Sequence, residues 1–158
     1  VIRTGALPED GVIARPLGKL TMVNCASPHY LTRFGYPQSP DDLTSHAIVR
    51  YTPHLGVHPL GFEVASVNGV QWFKSGGMLT VNSRENYLAA GLAGLGIIQI
   101  PRIAVREALR AGRLIEVLPG YRAEPLSLSL VYPQRRELSR RVNLFMQWLA
   151  GVMKEYLD

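Results

Sequence analysis

This sequence is poor in cysteine, in charged residues and in long apolar runs. A single cysteine, Cys25, stands among 158 residues, so no internal disulfide can form and a reducing compartment is expected. Charged residues make up 18% of the chain and hydrophobic ones 47%, which favours a folded core over disorder. The longest apolar stretch, residues 88–100, is interrupted by glycines and is too short to cross a bilayer. Because the start also lacks an apolar signal segment, we expect a soluble, cytoplasmic protein without a membrane partner.

Signatures of nucleophilic catalysis are also missing. No serine lies in a GxSxG motif. Cys25 stands four residues before His29, but it lies within an apolar run typical of a buried strand, where a thiol behaves as a small hydrophobic group. Asp41 and Asp42 are neighbours at a predicted helix start, and capping explains both. We therefore expect no enzyme and no catalytic residues.

Motifs for metals and nucleotides are weak. His54 and His58 would share one face of a helix, but Pro53 and Pro59 disfavour a helix there and no cysteine is available as a further ligand. The glycines of residues 91–96 follow a predicted helix and precede a strand, which is the reverse of a dinucleotide-binding fingerprint. They are better explained by a helix end and close helix–strand packing. The sequence predicts neither a metal site nor a cofactor.

The charge is +5 with a pI near 9.7, which raises the question of nucleic-acid binding. Most arginines are dispersed, and only Arg135, Arg136, Arg140 and Arg141 lie close together. No aromatic residues are interleaved with them to stack on bases. A solvated surface explains this group better than a phosphate-binding one, although the second reading stays open.

Helix and strand signals alternate along the chain and predict an α/β protein. Residues 19–27 are typical of a buried strand, and Ser27-Pro28 begins a short helix that ends at Gly35. Asn68-Gly69 and Gly76-Gly77 are hairpin signals, so residues 60–83 are predicted to form an antiparallel meander or edge strands.

The last predicted helix runs from about residue 138 to 156 and carries one apolar stripe. We expect this face to pack on a sheet. Its members are Val142, Phe145, Met146, Leu149, Met153 and Tyr156.

The junction at Asn82 and Ser83 is a candidate binding site. A strand ends there and a helix begins, so unpaired backbone N–H groups face outward. Such a helix start can hold a carboxylate, sulfate or phosphate group. Capping of the helix by Ser83 is the simpler explanation, and both can be true together.

Several runs of the sequence resemble one protein family. The first is IRTGALPEDGVIARPLGKLTMVNCASPHYLTRFG, where IR-x-G, ARPL and CASPxYL follow one another as in LysR-type effector domains. Their VN…E…AAxAGLGI…LP block is similar to LTVNSRENYLAAGLAGLGIIQIP, and their ending is similar to AGRLIEVLP and LSLVYPQRRELSRRVNLFMQWL. The match covers nearly the whole chain in the right order. The sequence therefore resembles the C-terminal effector-binding (substrate-binding) domain of LysR-type transcriptional regulators.

The resemblance implies a fold and its division. The fold is α/β, of the periplasmic-binding-protein-like (type 2) two-lobed class, with an incomplete first lobe. Residues 1–36 and 121–158 would form part of regulatory lobe I, and residues 37–120 would form lobe II. The chain would cross between lobes near Gly35–Ser39 and near Leu118–Leu126.

The resemblance also implies a function. The domain would sense a small anionic or polar effector in the inter-lobe cleft and thereby modulate DNA binding by an N-terminal winged helix-turn-helix. The regulator would be a homo-oligomer, a dimer or tetramer, that contacts DNA only through that N-terminal domain. Carried over residue by residue, the candidate ligand-binding residues are Arg3, Thr4, Asn82 and Ser83. Tyr51 and Gln99 are weaker additions, chosen because they lie at the ends of predicted strands.

This chain departs from the family at its start. The helix-turn-helix, the linker helix and two β-α units that open the family's pattern are not in the sequence, which begins at Val1. We therefore expect a fragment that lacks part of its pocket. Alternatives are a stand-alone solute-binding module of the same fold and, third, a small enzyme. A binding module would be stabilised by its ligand without turnover, whereas an enzyme would convert it.

Overall fold

The computed structural model describes residues 1–5, 12–52, 61–133 and 139–157. In chain order the strands are β1 (Ile2–Thr4), β2 (Val12–Leu20), β3 (Met22–Ala26), β4 (Ala47–Tyr51), β5 (Phe62–Ser66), β6 (Gly69–Phe73), β7 (Gly76–Val81), β8 (Ile98–Pro101), β9 (Ile115–Glu116) and β10 (Leu126–Pro133). The helices are α1 (Pro28–Phe34), α2 (Arg84–Leu92), α3 (Arg102–Arg110) and α4 (Arg140–Met153), with 3-10 turns at Pro40–Ser45 and Lys154–Tyr156.

The chain divides into two compact units. The first unit consists of Val1–Thr21 and Pro125–Asp158, and the second of Met22–Glu124. These units do not coincide with the predicted lobes, because residues 22–36 lie in the second unit. The reason is strand pairing: β3 is hydrogen-bonded to β8 and β9, which belong to the second unit. The lobe boundaries themselves stay a prediction.

The first unit is built on one antiparallel sheet. Strand β10 lies between β1 and β2 and pairs antiparallel with both. Its sequence, LSLSLVYP, alternates at first, but Leu128, Ser129, Leu130 and Val131 are all buried, because both neighbouring strands cover the middle of β10. The predicted strand over this run is confirmed.

Helix α4 buries its predicted apolar face only in part. Among its described residues only Met146 is buried, whereas Val142 and Phe145 are 40% and 56% exposed. Leu144 and Trp148, outside the predicted stripe, are exposed too. Leu149 and Met153 are half-buried, so the described residues cover three of the six stripe positions, and the prediction that this face packs on a sheet is confirmed only in part.

The second unit contains three small sheets, with strand order β8-β3-β9, β4-β7 and β5-β6, and two core clusters. Strand β4 pairs parallel with β7, and Ile48 forms a parallel bridge with Ile97 just before β8. Val49 packs in one core cluster, with residues of α2 and α3, and its neighbour Ile48 packs in the other, with residues of α1 and β5. Side chains alternate between the faces of a strand, so β4 contributes to both clusters.

Local signals for helix starts are confirmed. The hydroxyl of Ser27 accepts a hydrogen bond from the backbone N–H of Tyr30 at 3.2 Å, and Gly35 ends α1 with a φ of 83°. Ser83 caps α2 in the same way. The start signal at Ser39 is followed by a 3-10 turn rather than an α-helix.

The hairpin prediction is confirmed at one turn and wrong at the other. Strands β5 and β6 pair antiparallel around Asn68-Gly69. Gly76 and Gly77, however, begin β7, whose partner is the parallel strand β4, so the three segments do not form a meander. The alternative prediction of edge strands agrees with the two-stranded sheets β4-β7 and β5-β6. A Cβ at Gly77 would lie 2.6 Å from Nε of Arg50. The glycine allows a close approach to that side chain instead of forming a turn.

The glycines of residues 91–96 allow close packing, as expected from the sequence. A Cβ at Gly91 would lie 2.6 Å from Cδ1 of Ile98, so α2 packs tightly on β8. A Cβ at Gly96 would lie 2.6 Å from the carbonyl oxygen of Ala47, on the neighbouring strand. Within the described part of the chain, no helix has the length and apolar character needed to span a membrane.

Candidate functional site

Three of the predicted site residues meet at one edge of the second unit. Strands β4 and β7 run parallel with Tyr51 opposite Val81, so both strands end at the same edge of the sheet. The N–H of Thr52 continues the pairing with a 2.9 Å hydrogen bond to the carbonyl of Val81. Asn82 and Ser83 follow directly. Ligands bind at the carboxyl ends of parallel strands in open α/β sheets, so this edge is the candidate site.

The tyrosines Tyr51 and Tyr87 form the apolar side of this edge. Their ring centroids lie 5.7 Å apart with the planes inclined by 48°. Tyr51 is 38% exposed, whereas Tyr87 is buried beneath it in the first turn of α2. We call Tyr51, Asn82, Ser83 and Tyr87 the carboxyl edge. It presents one accessible aromatic ring beside a helix start.

The helix start at Ser83 is capped. Its hydroxyl accepts from the N–H of Asn86 at 3.1 Å, and its carbonyl accepts from the N–H of Tyr87 at 3.0 Å. This confirms the capping role of Ser83. The N–H groups of Arg84 and Glu85 lie in the first turn of α2. As at every helix start, no carbonyl of the helix is placed to accept hydrogen bonds from them. Asn82 is exposed. Binding of an anion at this position stays a prediction.

Gln99 is engaged by other residues of the protein. Its side-chain Nε2 donates to Oδ1 of Asn24 at 2.9 Å and to the carbonyl of Glu63 at 2.8 Å. Its Oε1 accepts from the N–H of Glu63 at 3.3 Å. Both amide hydrogens are thus used within the second unit. A ligand that accepts a hydrogen bond from this amide, as predicted contacts could require, would have to replace one of the two bonds that Nε2 donates.

Arg3 and Thr4 lie in the first unit. They belong to β1, where Arg3 is opposite Ser129 and Thr4 is opposite Leu128 of β10. Arg3 is exposed and Thr4 is half-buried. The other four predicted residues lie in the second unit. The roles of Arg3 and Thr4 stay predictions.

Burial keeps two ionisable groups of one core cluster, Cys25 and Tyr87, neutral. It raises the pKa of the Cys25 thiol to about 12, and the nearby Glu116 carboxylate adds to this shift. Burial also raises the pKa of the Tyr87 hydroxyl well above its usual range. A thiol that stays protonated is a poor nucleophile, in agreement with the structural role expected for Cys25.

Asn24 is a buried, hydrogen-bonded residue that the prediction from the sequence missed. It is fully buried in β3, and its Nδ2 donates to the carbonyls of Leu118 and Tyr121 at 3.3 and 2.9 Å. The available signal was its place within an apolar run, because a buried polar side chain requires hydrogen-bond partners.

The histidine and arginine groups noted in the sequence lie partly outside the described residues. Within them no group of three or more His, Cys, Asp or Glu side chains is arranged to hold a metal ion. His54 and His58 lie outside the described residues, as do Arg135 and Arg136. Arg140 and Arg141 are exposed at the start of α4.

Known proteins similar to this chain are transcriptional regulators. Residues 1–154 match the family described as LysR substrate binding domain. The chain is 99% identical over 158 residues to the HTH-type transcriptional regulator YhjC of Escherichia coli (strain K12), covering 100% of the chain and 53% of that protein. It is 31% identical over 157 residues to the HTH-type transcriptional activator AaeR of the same organism, covering 98% and 50%. The chain thus spans about half the length of these relatives.

A solved structure shows the same fold. The regulatory domain of CrgA, a LysR-type transcriptional regulator from Neisseria meningitidis, superposes with a TM-score of 0.80 at 26% identity. The match covers 96% of this chain and 73% of that one. The expected α/β class, periplasmic-binding-protein-like of type 2, is confirmed by this likeness.

Proposed function

The chain belongs to the LysR substrate-binding domain family, and we propose that within a LysR-type regulator it senses a small polar or anionic effector. Binding of that molecule modulates the binding of the regulator to DNA through a winged helix-turn-helix domain. The family match over residues 1–154 and the regulator names of the relatives support this role. The ligand is bound and released without conversion, so the domain is not an enzyme.

The observation that carries this function is the carboxyl edge. The parallel strands β4 and β7 end there side by side, and α2 begins there with backbone N–H groups that have no intrahelical acceptor. The exposed side chain of Asn82 can donate and accept hydrogen bonds, and the ring of Tyr51 offers an apolar surface. A carboxylate, sulfate or phosphate group at the helix start, with a small polar or planar body over Tyr51, fits this chemistry.

The partners follow from this role. The regulator acts as a homodimer or tetramer, since the domain reports its ligand to a DNA-binding domain that recognises paired half-sites. It acts in the cytoplasm, where bacterial DNA lies. Arg3 and Thr4 are assigned to effector binding through the family resemblance.

A thermal-shift screen tests ligand binding. We would titrate the chain with sulfate, inorganic phosphate, acetate, benzoate and succinate, with glycerol as a neutral probe. A ligand that binds the folded state raises the free energy of unfolding by about 2.7 kcal/mol at 100 times its Kd. We expect at least one anion to raise the Tm in a saturable way, without any chemical change detected by NMR. Conversion of the ligand would instead establish an enzyme.

Substitutions locate the site. Asn82→Ala removes an exposed side chain, so the Tm without ligand should hardly change while the ligand-induced shift decreases. Ser83→Ala should lower both, because an N-cap contributes about 1 kcal/mol. Ser27→Ala is the matched control, since it removes the same kind of cap from α1 and should leave the ligand-induced shift intact. Equal loss of the shift in Ser27→Ala and Ser83→Ala would contradict a site at the carboxyl edge.

A DNA-binding assay tests the regulator. The full-length protein would be used to select binding fragments from random DNA, and its affinity for them would be measured with and without the ligand found in the screen. We expect the affinity or the number of bound protomers to change. An unchanged DNA affinity under saturating ligand would contradict effector sensing.

A further inference from the structure

The last residues of the second unit hold an unusual backbone conformation. We call Leu118–Glu124 the exit segment, because the chain passes from the second unit to the first at Glu124–Pro125. Leu118 is buried and has a φ of 48°, the one positive φ among the described non-glycine residues. Residues with a Cβ avoid this left-handed region, so surrounding contacts must stabilise it.

Asn24 supplies those contacts. Its Nδ2 donates to the carbonyl of Leu118 at 3.3 Å and to that of Tyr121 at 2.9 Å. The N–H of Tyr121 in turn donates to the carbonyl of Leu118 at 2.9 Å, which closes a turn. Both amide hydrogens of one fully buried side chain are therefore committed to the turn that begins the exit segment.

Further bonds attach the rest of the exit segment to β5 and β9. The N–H of Ala65 donates to the carbonyl of Arg122 at 2.8 Å, and the N–H of Glu124 donates to Oε1 of Glu63 at 3.0 Å. The guanidinium of Arg122 donates to the carboxylate of Glu116 through Nε at 2.8 Å and through a second nitrogen at 2.5 Å. The exit segment is thus bonded along its length.

A continuous chain of hydrogen bonds joins Asn24 to the carboxyl edge. Oδ1 of Asn24 accepts from Nε2 of Gln99 at 2.9 Å. The backbone of Gln99 is bonded to the hydroxyl of Tyr87, which accepts from its N–H at 2.8 Å and donates to its carbonyl at 3.2 Å. Tyr87 in turn contacts the ring of Tyr51. Each of these groups belongs to the second unit.

We propose that Asn24 and Gln99 are positioning residues that keep the exit segment hydrogen-bonded to the rest of the second unit. Through them, the breaking of these hydrogen bonds depends on Tyr87. A shift of the Tyr87 hydroxyl moves the backbone of Gln99, which moves the amide that orients Asn24. Asn24 then keeps or releases the left-handed turn at Leu118. The link to a ligand rests on the proposed function, whereas the coupling of Tyr87 to the exit segment does not.

Hydrogen exchange of the 158-residue chain tests the coupling without any ligand. Asn24→Ala should accelerate amide exchange about tenfold or more in the exit segment and at Ala65, because two buried hydrogen bonds are lost. Tyr87→Phe removes only a hydroxyl that does not contact the exit segment. We expect it to accelerate exchange there by about threefold or more, with α3 unchanged. A double-mutant cycle of the two substitutions should be non-additive.

The matched control is Val105→Ala, which weakens the core cluster that contains Tyr87 but lies outside the hydrogen-bond chain. This substitution should not accelerate amide exchange selectively in the exit segment. If Tyr87→Phe leaves exchange in the exit segment unchanged while Asn24→Ala accelerates it, Asn24 only braces the turn and the coupling is refuted. The same pattern in Val105→Ala as in Tyr87→Phe would also refute it. If the thermal-shift screen finds no ligand, the conclusion from hydrogen exchange is unaffected.

Discussion

The hydroxyl of Tyr30 lies 3.0 Å from Nδ1 of His46, and both side chains are buried in the second unit. The same hydroxyl accepts a hydrogen bond from the N–H of Ala47 at 2.9 Å, so it joins α1 to the start of β4. Burial lowers the pKa of His46 below its ordinary 6.5, although the carboxylate of Asp42 acts in the opposite direction. Because its pKa is lowered, the imidazole is neutral in the folded protein at neutral pH.

This pair predicts a loss of stability in mild acid. As the pH falls below about 6.5, the unfolded chain takes up a proton at His46 before the folded chain does, so the free energy of unfolding decreases until the lowered folded pKa is passed. We expect the Tm to fall between pH 7 and pH 5. His46→Gln should flatten this dependence, whereas His29→Gln, at an exposed position, should not.

Acid effects of Asp42 fall in a different range. Hydrogen bonds from the N–H groups of Gln38 and Ser39 lower the pKa of its carboxyl below 3.8. Its contribution to stability is present above that value and is lost only as the pH falls through the lowered pKa. A Tm that stays constant from pH 7 to pH 5 in the unsubstituted chain would therefore contradict the role of His46. It would not bear on the role of Asp42.

Two helical glycines are predicted to respond in opposite ways to alanine. At Gly91 the new Cβ would meet Ile98, and overpacking of this kind costs about 1–3 kcal/mol, more than the helix propensity gained. At Gly151 in α4 no atom lies within 4 Å of the new Cβ, so Gly151→Ala should stabilise by about 0.5–1 kcal/mol. Urea unfolding measures both. Ile98→Val should partly restore Gly91→Ala, because it removes the closest atom.

The thiol of Cys25 is predicted to be unreactive in the folded chain. It is fully buried and its pKa is raised to about 12, so almost no thiolate exists at pH 8. A disulfide reagent such as DTNB should react at the rate of unfolding, and should react immediately in concentrated urea. Fast labelling of the folded chain at pH 8 would show that β3 opens locally.

The exposed aromatic pair of α4 is predicted to make the chain self-associate. Phe145 and Trp148 are 56% and 61% exposed with ring centroids 5.7 Å apart. Contiguous exposed apolar side chains promote association. Sedimentation at increasing concentration should show a rising average mass, and Trp148→Lys should reduce it without lowering the Tm. Trp72→Lys, on the β5–β6 hairpin, is the control at a second exposed tryptophan.

Much of the local structure was predictable because its causes lie within a few residues. A serine before Pro28 or Arg84 caps a helix with its own hydroxyl, and Asn68-Gly69 forms a tight turn whatever surrounds it. The fully buried strand β3 follows from a short apolar run. The family was also readable, since its motifs are continuous in the sequence.

The candidate site was only partly predictable. Tyr51, Asn82 and Ser83 could be placed at strand and helix ends, and pairing of β4 with β7 brings them to one edge. Gln99 was predicted as a ligand contact from its place on a strand. Its actual partners, Asn24 and Glu63, are 75 and 36 residues away in the sequence, so no local pattern reveals that its amide is already used.

What the sequence determined by itself is the set of elements, their caps and turns, the α/β class and the family. Only the tertiary structure decided that Gly76-Gly77 begins a parallel strand, that the left-handed turn at Leu118 is held by Asn24, and that half of the stripe on α4 stays exposed. The physical reason is range: capping and turn formation are local, whereas strand partners, buried hydrogen bonds and the cover of an apolar face depend on groups brought together by folding.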